Sequence, residues 1–174
     1  MSQTNNIVFT ALKIISWIIF VGLCIETGGL IVNCIFSIFK PEMVKNLYQK
    51  LDLSALYKDN RWAFFRVYSF ILTIAILKVH LFYIVIRLMH KMDLEKPFST
   101  FVARQITLLS YYTISIGLVS YIARQSPHSG LETDNLNQFW EDSQAFILMG
   151  AVIYIIATIF KQGLKLQAEN DLTV

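Results

Sequence analysis

Four long apolar runs, each bounded by charge and almost free of it inside, leave this chain few ways to fold. They lie between Lys13 and Lys40, Arg66 and Arg87, Arg104 and Arg124, and Asp142 and Lys161. Each is near or above the roughly 20 residues that a bilayer core requires. Backbone inside hydrocarbon must satisfy its own hydrogen bonds, so the runs read as helices. The pattern predicts an all-α integral membrane protein, a four-transmembrane-helix bundle forming a single membrane domain over 1–174. Its spans fall at about 14–39, 67–86, 105–123 and 143–160, followed by a tail at 161–174.

The first run is longer than a bilayer needs. It could tilt, or split at Gly28-Gly29 into a span and an interfacial segment ending at Pro41; the tilted helix is preferred. The run continues past any plausible small-residue cleavage site, so a retained span is favoured over a cleaved signal peptide. Between the first two spans, Val44, Leu47, Tyr48, Leu51 and Ala55 recur at helical spacing among polar residues. This predicts a short amphipathic surface helix, with a solvated connector as the alternative. The segment His90 to Phe101, with Pro97 inside it, reads as a tight turn between antiparallel helices, and Gln125 to Gln138 as a polar loop.

Charge says more about orientation than about ligands. A net charge of +3, with Lys and Arg at the ends of apolar runs, resembles interfacial anchoring and not a nucleic-acid stripe, so direct nucleic-acid binding is not expected. Arg87, Lys91, Lys96, Arg104, Lys161 and Lys165 gather on one side, which predicts cytoplasmic N- and C-termini. Lys40, Lys45, Lys50, Lys58, Arg61 and Arg66 in the first loop oppose that bias.

Two ionisable residues fall near mid-span: Glu26 in the first run and Lys78 in the second. A charge alone at that depth costs several kcal/mol, about 3 by insertion scales, so each should find a partner, water or a changed protonation state. His80 stands on nearly the opposite side of its helix from Lys78, so Glu26 has two candidate mates, Lys78 being slightly preferred. A structural pair and an ion- or proton-handling role weigh equally for this group. Gly22, Glu26, Gly29, Asn33 and Ser37 share one face of the first helix, and Ser69, Thr73, His80, Tyr83 and Arg87 one face of the second. Thr107, Ser110, Thr113, Ser115, Gly117 and Ser120, and then Ser143, Gly150, Tyr154, Ala157 and Lys161, supply small and hydroxyl residues to the third and fourth. Such residues predict close helix packing with modest interhelical hydrogen bonds, within one chain or between copies.

The catalytic vocabulary is thin. Of the three histidines, His80 alone is placed mid-span, which disfavours haem. Cys24 and Cys34 lie about 15 Å apart on one helix, too far for an intrachain disulfide. No metal-ligand spacing, nucleotide-binding glycine loop or nucleophile elbow is present, so neither a cofactor, a metal nor an enzymatic activity is expected.

The turn Lys96-Pro97-Phe98-Ser99 before Arg104 and a new span, with the ending Gly163-Leu164-Lys165-Leu166-Gln167-Ala168-Glu169-Asn170-Asp171-Leu172-Thr173-Val174, resembles a bacterial membrane family. It is the family catalogued as domain of unknown function 2975, and the likeness runs over nearly the whole chain. The resemblance implies the bacterial cytoplasmic (inner) membrane and brings no catalytic residues. It also implies a neighbouring small helix-turn-helix regulator, hence a membrane protein that anchors or antagonises a transcription factor. On that reading Pro97, Phe98, Ser99, Glu169, Asn170 and Asp171 form the partner-contact surface. The alternative is a small transporter, channel or proton-handling subunit built on Glu26 with Lys78 or His80.

Overall fold

A computed structural model describes residues 3–40, 53–92, 98–126, 140 and 142–171. Helix α1 runs Gln3–Phe39, α2 Ser54–Asp59, α3 Arg61–Lys91, α4 Thr100–Gln125 and α5 Ser143–Asp171. Helices α1, α3, α4 and α5 are each long and apolar enough to cross a membrane, and no strand occurs among the described residues. The fold class read from the sequence is therefore the one observed.

Local chemistry explains where the helices begin. Asn60 caps α3 by accepting from the backbone N–H groups of Trp62 and Ala63 at 2.9 and 3.3 Å. Ser99 caps α4 by accepting from Val102 N–H at 3.2 Å. Each cap satisfies donors that the first turn leaves without an intrahelical acceptor. Lys91 closes α3, where a cation opposes the negative end of the helix dipole.

Helix α1 passes through Gly28-Gly29 without a break, which removes the split-helix alternative. Its 37 residues extend about 55 Å at ordinary helical rise, well beyond a hydrocarbon core of about 30 Å. The excess lies mainly at the N-terminal side, since the helix starts at Gln3 and Ser16 already meets Met89 near the end of α3, Oγ to Sδ 3.5 Å.

Packing follows chain order: α1 lies on α3, α3 on α4 and α4 on α5, with α2 against α3. The α4–α5 seam is the most extensive. The largest buried cluster sits at the opposite end from Met89, where Leu30, Leu53, Leu56, Phe64, Tyr68, Ala123 and Trp140 come together. The expected amphipathic helix is present in part: α2 falls in its final segment, whereas residues 41–52 lie outside the described residues. Leu53 and Leu56 are fully buried in the protein, so the apolar side of α2 seals the bundle end and is not laid into lipid. Tyr57 stacks edge-on against Phe64 at 5.1 Å and carries the Arg61 guanidinium 5.3 Å above its ring.

One hydrogen bond ties α1 to this cluster: Tyr68 donates its phenol to the Leu30 carbonyl at 2.8 Å, fully buried. Tyr68→Phe removes that donor, while the Leu30 carbonyl keeps its own helix bond within α1, a cost of about 1 kcal/mol. Backbone amide exchange around Leu30 should then rise by roughly fivefold or more, with α4 and α5 unchanged. Equal exchange in both proteins would show that this bond does not hold α1 in place.

Candidate functional site

The polar residues of the spans mostly close on their own helices. Ser16, Ser37, Thr73, Thr107, Thr113 and Thr158 each donate to the carbonyl four residues earlier, at 2.7–3.0 Å. Ser69 and Ser110 donate to the carbonyl three residues earlier. The expected interhelical hydroxyl bonds give way to these short-range ones because the i−4 carbonyl is already within reach and costs no helix approach. Close packing comes instead from Gly117 and Gly150, which let α4 and α5 meet at backbone distance. Gly22 contributes no such approach, since a Cβ there would meet nothing within 4 Å. The second-span stripe is likewise not a packing face: Ser69, Thr73, Tyr83 and Arg87 are exposed.

Contacts at Leu30–Tyr68 and Ser16–Met89 make α1 and α3 antiparallel neighbours, and both Glu26 and Lys78 lie between those two contacts. Each is half-buried, yet no ion pair within 4 Å joins them among the described residues. His80, about 200° around α3 from Lys78, turns to α4 and stacks on Tyr112 with ring centroids 5.6 Å apart and planes within 6°. His80 thus pairs with an α4 side chain, and no ion pair joins Glu26 to Lys78 among the described residues. Cys24 and Cys34 are free thiols.

The second candidate set is brought nearer together. Phe98, just before the Ser99 cap, packs on α5 with its ring 5.0 Å from Phe160. It also covers Gly163, where a Cβ would stand 3.1 Å from Phe98 Cε1. The entry to α4 is thereby fastened to the point where α5 leaves its apolar run. From there α5 continues to Asp171 with Lys165, Leu166, Gln167 and Glu169 exposed. Lys165 and Glu169 form an exposed i,i+4 ion pair at 3.8 Å. Pro97 lies outside the described residues, as do the side chains of Asn170 and Asp171.

Among the described residues, three buried polar side chains have an oxygen without a hydrogen-bond partner, and two of them, Gln105 and Thr27, were not among the residues expected from the sequence. Gln105 is 2% exposed on α4 and its Oε1 has no hydrogen-bond partner, as is also true of Thr27 Oγ1 and Ser143 Oγ. Gln105 could have been noticed as the one amide inside the third apolar run, one heptad before Tyr112. Among the described residues, no group of three or more His, Cys, Asp or Glu side chains has the arrangement to hold a metal ion.

No curated protein and no solved structure matches the chain. A family profile described as protein of unknown function (DUF2975) matches residues 46–174, which takes in α2 to α5 and leaves all of α1 outside the match. With that match extending over more than half of its length, this four-span membrane chain belongs to the DUF2975 family.

Proposed function

We propose that the protein is a membrane-embedded interaction protein whose docking surface is the α4 entry together with the exposed end of α5. The observation that carries this reading is the continuation of α5 beyond Lys161 as unbroken helix to Asp171. At helical rise the extension reaches about 15 Å past the last charge-free stretch of the span. It displays Leu166, 62% exposed, among polar neighbours, and it is held in direction by Phe98 against Phe160 and Gly163. A rigid, mostly polar helix with an apolar residue on it suits recognition by a small soluble protein and offers no enclosed volume for catalysis.

The partner we assign is the small helix-turn-helix regulator implied by the family resemblance, held or antagonised at the bacterial inner membrane. The proposal puts both termini in the cytoplasm, where Arg87, Lys91, Arg104, Lys161 and Lys165 would also lie. The stacking of His80 on Tyr112 and the lack of a described Glu26–Lys78 ion pair lend the transport alternative no comparable support.

Co-purification with that regulator from detergent-solubilised membranes tests the assignment. Deleting Glu169 to Val174, or changing Leu166→Asp, should lower capture about tenfold or more, the loss expected when one leucine contact is removed. Helical content should be unchanged. Undiminished capture by both variants would rule out this surface.

A further inference from the structure

Four helix segments converge at the end of the molecule opposite the Phe64 cluster. Ser16 meets Met89, the Arg87 guanidinium and Lys91 ammonium lie 5.8 and 5.7 Å from the Phe101 ring centre, and Phe98 meets Phe160. Between α1 and α3 at this level is a cleft of about 550 Å³. Its walls are Trp17, Phe20 and Tyr83, and its outer rim carries Arg87, His90 and Lys91. Trp17 and Phe20 meet edge-on at 5.8 Å, which gives the α1 wall a fixed shape.

The order of these residues along the helix axes matters. Tyr83 lies about 12 Å deeper than Lys91 at helical rise, so the aromatic surface sits toward the hydrocarbon and the cations toward the headgroups. Lys13, one turn before Trp17 on the same side of α1, adds a further cation above the cleft. No described carboxylate pairs with Arg87, His90 or Lys91. Asp93 and Glu95 follow in the sequence, outside the described residues, and are outnumbered by Arg87, Lys91, Lys96 and Arg104. A site that is apolar and aromatic below, cationic above, and open sideways to lipid has the polarity of one kind of molecule.

We propose that this cleft binds an anionic phospholipid, with its phosphate between Arg87, His90 and Lys91 and an acyl chain along Trp17, Phe20 and Tyr83. The Phe101 ring positions the two permanent cations by cation–π attraction while leaving their remaining N–H donors for phosphate oxygens. A second cleft of about 390 Å³ lies along α4 and α5, with Arg104 and Lys161 above Leu108 and Tyr111. Lipid of one leaflet would thus be gripped at two clefts near the end where α5 emerges. Basic pockets between transmembrane helices commonly recognise anionic headgroups in this way.

Native mass spectrometry of the full chain from mixed micelles of phosphatidylglycerol and phosphatidylcholine tests the proposal. Wild-type protein should retain phosphatidylglycerol in preference to phosphatidylcholine, and excess inorganic phosphate should not displace it. A cation near an anionic surface is worth about fivefold in affinity, so Arg87→Gln with Lys91→Gln should reduce retention about 25-fold. The charge-preserving pair Arg87→Lys with Lys91→Arg should keep most of it. The charge-matched control Lys40→Gln with Lys58→Gln, at the other end, should keep it all. Equal retention of the two lipids, displacement by free phosphate, or equal losses in the rim and control pairs would overturn the assignment.

Discussion

Gly150→Leu should open the α4–α5 seam and lower stability by about 3 kcal/mol, the upper end of ordinary overpacking costs. A Cβ at Gly150 would lie 2.5 Å from Ile114 Cγ1, 2.9 Å from Ile114 N and 3.2 Å from the Ser110 carbonyl. At Gly117 the same construction meets Ile147 Cγ1 at 2.6 Å, Ile147 N at 2.8 Å and the Ser143 carbonyl at 2.9 Å. Ser110, Ile114 and Gly117 on α4 have the same spacing as Ser143, Ile147 and Gly150 on α5. Because the helices run antiparallel, each glycine lands on the other helix's serine carbonyl and isoleucine backbone. An isoleucine side chain can swing aside; backbone atoms can do so only by separating the helices. Leucine gains about 1 kcal/mol of helix propensity over glycine, so the sign of the result is decided by the clash. Gly22→Leu is the matched control: it faces open space and should be neutral or mildly stabilising. Denaturation of the detergent-solubilised protein measures both, and similar stabilities for the two variants would refute the seam as the rigid part of the fold.

Phe64→Ala carries the second large effect, about 3–5 kcal/mol. Phe64 is 0% exposed and its ring meets those of Tyr57, Phe65 and Tyr68 at 5.1, 5.2 and 5.6 Å. Helix association in lipid gains little from the hydrophobic effect, so the loss is chiefly of packing and ring contacts that no lipid chain can replace in a closed site. The damage should be regional. Near-ultraviolet circular dichroism from the clustered tyrosines should collapse, and α2 should become sensitive to protease, while Gly117 and Gly150 keep α4 on α5. A variant with wild-type dichroism and stability would mean that the Leu53, Leu56 and Trp140 cluster does not depend on this ring.

Segment-level features were legible from composition alone. Four spans and the presence of a short helix before Arg61 follow from apolar run length and the placement of charge and proline, whereas the expected turn at 93–97 lies outside the described residues. The small-residue faces of the third and fourth spans correctly named Gly117 and Gly150 as packing positions. The same criterion failed at Gly22 and along Ser69 and Thr73, because small side chains allow close approach without requiring it. Hydroxyl residues misled for a related reason: a serine in a helix has an acceptor one turn back, whatever stands across the seam.

The candidate sites divide along the same line. Lys78 and His80 are two residues apart, so periodicity alone sends them in different directions, but it does not say which neighbour each would meet; the stacking of His80 on Tyr112 is a fact of helix order around α3. Likewise Phe98 and Gly163 are far apart in sequence, and only the α4–α5 crossing brings one over the other. The cleft of Trp17, Tyr83, Arg87 and Lys91 joins residues of two spans whose relative height depends on the Ser16–Met89 and Leu30–Tyr68 contacts.

Solvent chemistry acts on each segment separately, so the sequence by itself determined that the chain is a membrane protein with four helices able to cross a bilayer. Which helix faces which, at what height and how closely, depends on the summed fit of side chains from distant segments, where a single missing Cβ can outweigh a whole stripe of hydroxyls. Only the tertiary structure decided those relations, and with them the stacking of His80 on Tyr112, the pinning of α5 by Phe98 and the cationic cleft between α1 and α3.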